Sequence, residues 1–235
     1  MKNRLKDYLT SPKSQTTIIL LLTPVLISLY RYLGKPEIFY YNLAPGFSSG
    51  SLYGFYGDFF NFLMAFLFLM LIPVALLKIF FKARLKDYGF SLSEVRTGLK
   101  VLLISLPLVI ITTWVSSCQP DFQKEYSAFR LNPLNIKSFL IYAAAFFIYY
   151  LAFEFFFRGF LLLGLEQSFG AINSLLIQTI PCCLIHLGKP FIEVLASIPA
   201  SLIFGYVVLK TRSLWSVIII HWLIGLLLVL FIGLK

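Results

Sequence analysis

The sequence predicts an all-α polytopic transmembrane helix bundle of about seven spans, forming a single membrane domain over residues 1–235. Three observations predict it. Of the 235 residues, 59% are hydrophobic and only 13% charged, against roughly 45–50% and about 25% in a soluble domain. Phe occurs 25 times beside 13 Tyr and 3 Trp, side chains suited to lipid-facing and interfacial positions. Apolar runs close to the roughly 20 residues of helix that cross a hydrocarbon core about 30 Å thick recur along the whole chain.

The runs lie at 16–33, 57–81, 101–117, 137–161, 170–187, 191–209 and 214–233. The first is too long for a signal-peptide core and lacks a small-residue cleavage site, so it reads as a retained span. Segment 34–56, rich in Gly, Ser, Tyr and Pro, is expected to be the one sizeable irregular loop. In the next connection, Ser91-Leu-Ser-Glu94 has the form of a capping box, with Ser91 expected to bond the backbone amide of Glu94 and start the third span. Gly188 and Pro190 divide the fifth span from the sixth, Gly ending one helix and Pro opening the next. Ser213 is the expected N-cap of the last span.

The net charge is +10. No basic stripe interleaved with stacking aromatics lies outside the apolar runs, so nucleic acid is not the expected partner. The basic residues instead lie in short connections, where they act as topology signals and contacts for the lipid bilayer. Lys2, Arg4, Lys6 and Lys13, then Lys78, Lys82, Arg84, Lys86, Arg96 and Lys100, then Lys210 and Arg212 fall on one side. The opposite connections carry Lys35, Lys124, Arg130, Lys137 and Lys189. The bias predicts a cytoplasmic N-terminus in a multi-pass protein, with a bacterial inner membrane the expected location. Cys118, Cys182 and Cys183 cannot build a disulfide framework.

An ionisable group within a span costs about 2.5–3.5 kcal/mol on insertion scales, so it faces the bundle interior and marks a functional candidate. The candidates are Glu154 and Arg158 in the fourth span, His186 ending the fifth, Glu193 opening the sixth and His221 in the seventh. Glu154 and Arg158 share a helical face and can pair, either as a neutralised structural pair or as an arginine orienting a carboxylate that polarises water. Both histidines of the chain fall in apolar runs. Imidazole can serve there as general base, oxyanion donor or metal ligand. Pro181, before His186, is expected to bend its helix and open a polar cavity.

These residues carry a resemblance to the CPBP intramembrane proteases, the group that includes CAAX prenyl endopeptidases and bacterial Abi proteins. Phe153-Glu154-Phe-Phe-Phe-Arg158 resembles the family's Glu-Glu-x-x-x-Arg motif, His186 before Leu-Gly-Lys-Pro the second motif, and Ser213-Leu-Trp215 leading to His221 the third. On this resemblance residues 137–233 hold the catalytic helices. Two positions depart from the pattern: Phe153 stands where the first glutamate is expected, and Gly225 where Asn or Asp is expected.

The resemblance implies an intramembrane endopeptidase that cuts a membrane-associated protein or peptide. Glu154 and His186 would activate water, Glu193 would act as a substitute carboxylate or in substrate binding, and His221 would donate to the oxyanion. No cofactor is expected, although Glu154, His186 and His221 could form a zinc site of the His₂Glu type, with Cys182 as a further ligand or a plain core residue. A catalytically impaired scaffold or immunity protein of the same fold is the alternative. A small carrier using the same buried charges is a third reading, against which no inverted repeat is visible.

Overall fold

The computed structural model describes residues 12–44, 53–126 and 136–235. Lys2, Arg4, Lys6 and Arg130, and residues 45–52 of the expected loop, lie outside the described residues. Helix α1 (Pro12–Leu33) leads to a short α2 (Pro36–Asn42). Helix α3 (Tyr53–Ala65) runs through a π-helical turn (Phe66–Leu71) into α4 (Ile72–Ile79). A 3₁₀ turn (Leu85–Tyr88) precedes α5 (Val95–Ser117) and a short α6 (Pro120–Glu125). Helix α7 (Ile136–Glu154) continues as a π-helical stretch (Phe155–Leu163) into α8 (Gly164–Leu184), followed by α9 (Phe191–Thr211) and α10 (Trp215–Gly233). The described residues contain no strand.

Among the described residues six helical stretches are long and apolar enough to cross a membrane, and one of them, Ile136–Leu184, has 49 residues. At 1.5 Å per residue it would reach roughly 70 Å, more than twice a hydrocarbon core. It is two crossings. Gly170, at φ 75° and ψ 166°, breaks the helix in a region of backbone space open essentially to glycine alone. The arms then fold back on one another: the rings of Phe153 and His186 lie 5.8 Å apart, and Leu162 and Gln178 both pack beside Gly205 of α9. The bundle thus makes the seven crossings expected.

The end of α7 and its π-helical continuation form the centre. Phe155, Phe156, Phe157 and Phe160 expose no surface and join one core cluster with Ile19, Leu77, Val208, Val217 and Ile218 from four other helices. Each such ring supplies much of the packing that must replace hydrophobic driving force between helices in lipid. Polar contacts add adhesion: Gln178 Nε2 on α8 donates to Ser201 Oγ on α9 at 3.1 Å, both buried.

Several local expectations change. Part of the supposed irregular loop is helix α2, begun by Pro36 at its first turn. The capping box does not form, because Glu94 adopts a left-handed backbone (φ 54°) and no side chain caps α5. Ser91 Oγ accepts instead from the Ser93 amide at 3.1 Å, and Ser93 Oγ donates to the Thr211 carbonyl at 2.9 Å. Nor does Ser213 cap α10; its hydroxyl donates to the Ser91 carbonyl at 2.8 Å. The three serines thus tie the 82–94 connection to the turn between α9 and α10. The helix runs through Pro181 to Leu184, and the departure from helical geometry falls at Gly170. The fifth crossing ends at Leu184 with Ile185 as its C-cap, four residues after Pro181, so Gly188 (φ 97°) serves the turn beyond the helix, and Pro190 is the N-cap of the sixth.

Gly89 closes the 3₁₀ turn at φ 91°, with the Leu214 Cγ 2.5 Å from where a Cβ would stand. Gly89→Ala is expected to destabilise the fold by about 1–3 kcal/mol through this overlap and the left-handed backbone. Thermal unfolding in detergent checks this, and an unchanged midpoint would contradict it.

Candidate active site

Glu154 closes α7 and Arg158 follows within the π-helical stretch, a widened helical geometry that recurs at functional sites. Arg158 Nη1 donates to Glu154 Oε1 at 3.2 Å. His221 Nδ1, from α10, donates to the same oxygen at 2.5 Å. Glu154 and Arg158 are 0% and 1% exposed. The guanidinium lies 5.6 Å from the Phe204 ring centre and 5.9 Å from that of Phe157, a cation–π setting in place of water. Glu154 Oε2 and Arg158 Nε make no hydrogen bond. The anion is therefore held almost wholly by one arginine and one imidazole.

His186 lies just beyond α8, where the helix tightens. Its backbone amide bonds the Cys183 carbonyl at 3.0 Å, leaving the Cys182 carbonyl for His186 Nδ1 at 2.6 Å. A carbonyl and a carboxylate can only accept, so Nδ1 carries the hydrogen in both histidines. Each neutral ring is left with Nε2 as an acceptor. With Nδ1 bonded to Glu154, His221 is left with Nε2 for any further partner.

Both imidazoles line a cavity of about 720 Å³, together with Tyr30, Asp58, Tyr142, Tyr149, Tyr150, Phe153 and Glu193. Glu154 and Arg158 are not among its lining residues. The structure thus brings together His186, His221 and Glu193 on the cavity wall and sets the Glu154–Arg158 pair behind His221. The Glu154 carboxylate, expected at the water, is fully buried and off the cavity wall, with His221 bonded to it.

Glu193 Oε1 accepts from the Tyr126 hydroxyl at 2.8 Å. Burial, and then the neighbouring Glu193 charge, push the Tyr126 hydroxyl well above its ordinary range, which keeps it a donor. On the facing wall Tyr142 donates to Asp58 at 3.3 Å. Two of the carboxylates that line the cavity, Asp58 and Glu193, are thus each held by a tyrosine.

The two departures from the motif pattern have structural partners. Phe153 puts its ring edge-on to both histidines, 5.8 Å from His186 and 5.3 Å from His221. Gly225 is required by Tyr150: a Cβ there would overlap the tyrosine hydroxyl and lie 2.8 Å from its Cζ and 2.9 Å from Phe146 Cε1. Tyr150 also packs on His221, ring centres 4.5 Å apart. The Tyr150 hydroxyl therefore occupies the space that an Asn or Asp side chain at 225 would fill. Sequence reasoning missed Tyr150, though its place one helical turn before Glu154 puts it on the same face.

A zinc site does not fit this arrangement. Among the described residues no group of three His, Cys, Asp or Glu side chains is placed to hold a metal ion. Glu154 is turned to Arg158 and His221, and Cys182 is a buried free thiol of the core.

Fold and site together define a polytopic membrane protein with a carboxylate-backed imidazole and a second imidazole on one intramembrane cavity. Residues 135–227 match the family described as type II CAAX prenyl endopeptidase Rce1-like, in agreement with the CPBP resemblance of the three motifs. Neither curated proteins nor solved structures give a match.

Proposed function

We propose that the protein is an intramembrane endopeptidase of the CPBP type, hydrolysing a peptide bond of a membrane-associated substrate. The observation that carries this reading is the single Glu154 oxygen held between Arg158 and His221 Nδ1, with His186 on the same cavity.

In this reading a water in the cavity donates a hydrogen to His221 Nε2, and His186 Nε2 is a second acceptor on the same cavity wall. His221 takes one proton as the water oxygen bonds to the scissile carbonyl carbon, whose π electrons move onto oxygen. Glu154, a positioning residue, stabilises the imidazolium that forms, much as the buried acid does in a serine protease triad. The Arg158 guanidinium balances the Glu154 carboxylate where both are closed off from solvent. The Tyr150 hydroxyl donates to the oxyanion, supplying the dipole that Gly225 lacks. As the intermediate collapses, the C–N bond breaks and His221 passes its proton to the leaving amine. No step uses a metal.

The test is cleavage of membrane peptides by purified protein in detergent. His186→Ala and His221→Ala are each expected to lower the rate about 10²–10⁴-fold, and Tyr150→Phe about 10²–10³-fold. Chelators are expected to leave the rate unchanged. Full activity in both histidine variants would end the peptidase reading. A catalytically impaired scaffold is favoured by one observation, the Phe153 ring in contact with both imidazoles where the motif has its first glutamate. It predicts no cleavage by wild type and a gain of cleavage in Phe153→Glu.

A further inference from the structure

The helix connections sort into two ends of the bundle, and the cavity belongs to one of them. At the first end Gln15 of α1 bonds Tyr88 at 2.5 Å, Thr16 meets Ser168, Arg212 pairs with Glu166, and Ser213 bonds Ser91. This gathers the start of α1, the 82–94 connection, the Gly170 turn and the α9–α10 turn. At the second end Arg31 Nη2 bonds the Leu187 carbonyl at 3.0 Å, Asn61 bonds the Gly34 carbonyl at 2.9 Å, and Lys189 pairs with Glu125 at 2.7 Å. The cavity runs from His221 and Phe153 to Arg31, Lys35 and Glu37, which are exposed at this second end.

Charge is distributed unequally between the ends. Lys78, Lys82, Arg84, Lys86, Arg96, Lys100, Lys210 and Arg212 lie at the first; Lys2, Arg4 and Lys6 precede α1 in the sequence, and Lys13 is its second residue. The mouth end has fewer basic residues, interspersed with Glu37, Asp58, Asp121, Glu125 and Glu193. A Lys- and Arg-rich set of short connections stays on the cytoplasmic side during insertion. We infer that the cavity opens away from the cytoplasm and takes an extended peptide segment that a membrane-anchored protein presents on the outer face. The substrate class rests on the peptidase reading; the side of access does not.

Two arms test this in full-length protein. In a Cys118→Ser background, needed because Cys118 is itself exposed, Lys35→Cys and Lys86→Cys are reacted with a membrane-impermeant maleimide. Lys35→Cys is expected to label in intact bacterial cells and Lys86→Cys only after permeabilisation. The reverse pattern, or equal labelling of both, overturns the side of access and leaves the peptidase reading untouched. In the second arm a membrane-anchored reporter peptide is presented on the outer or the cytoplasmic face of sealed vesicles, and cleavage is expected from the outer face alone. Cleavage from the cytoplasmic face alone overturns the inference. Cleavage from neither face, with labelling as expected, overturns the peptidase reading and the substrate class with it, while the side of access stands.

Discussion

Arg158→Leu is expected to lower stability by about 3–5 kcal/mol and to abolish cleavage, because it leaves the Glu154 carboxylate buried with one imidazole as its partner. Both side chains are withdrawn from solvent, and the Phe residues around them offer no replacement hydrogen bond. Glu154→Leu is expected to be equally damaging, since the guanidinium is then stranded against Phe157 and Phe204. The double variant Glu154→Leu, Arg158→Leu separates fold from chemistry. Apolar replacement of a whole buried pair is commonly neutral or mildly stabilising, so the double variant is expected to unfold within about 1 kcal/mol of wild type while remaining inactive. Denaturation in detergent read beside peptide cleavage checks both. A double variant that still cleaves would remove Glu154 from the mechanism.

Gly225→Asn should restore the family motif on paper, yet it is expected to unfold or inactivate the protein. The new side chain would overlap the Tyr150 hydroxyl and press on Phe146, and neither can move in a packed aromatic cluster. Overpacking of this kind costs about 1–3 kcal/mol. Tyr150→Leu opens the space, so Tyr150→Leu with Gly225→Asn is expected to recover the stability that Gly225→Asn loses. On the proposed mechanism it also recovers activity absent from Tyr150→Leu alone, because the amide then supplies the oxyanion donor. Thermal midpoints of the four proteins measure the coupling, and additive losses would show that Tyr150 and residue 225 do not share one space.

Much of the architecture is legible in the sequence. Hydropathy along the chain marks each crossing because lipid demands a long apolar helix wherever the chain crosses. Ionisable residues within or at the ends of apolar runs stand out for the same reason, as Glu154, Arg158, His186, Glu193 and His221 do. Cap assignments fared worse. Ser91 and Ser213 have the residue types of helix caps but bond each other's connection instead, a long-range choice that no local pattern encodes.

Composition and order thus settle that this chain crosses the membrane repeatedly and which charged groups it carries inside. They do not say which of those groups meets water. Glu154 stands behind His221, Phe153 packs against both imidazoles, and Tyr150 fills the room beside Gly225 because of how three crossings pack. Span-forming tendency depends on neighbours within one helix, whereas these placements depend on ångström-scale packing between helices distant in sequence, set by the Gly170 fold-back and the π-helical stretch through Arg158.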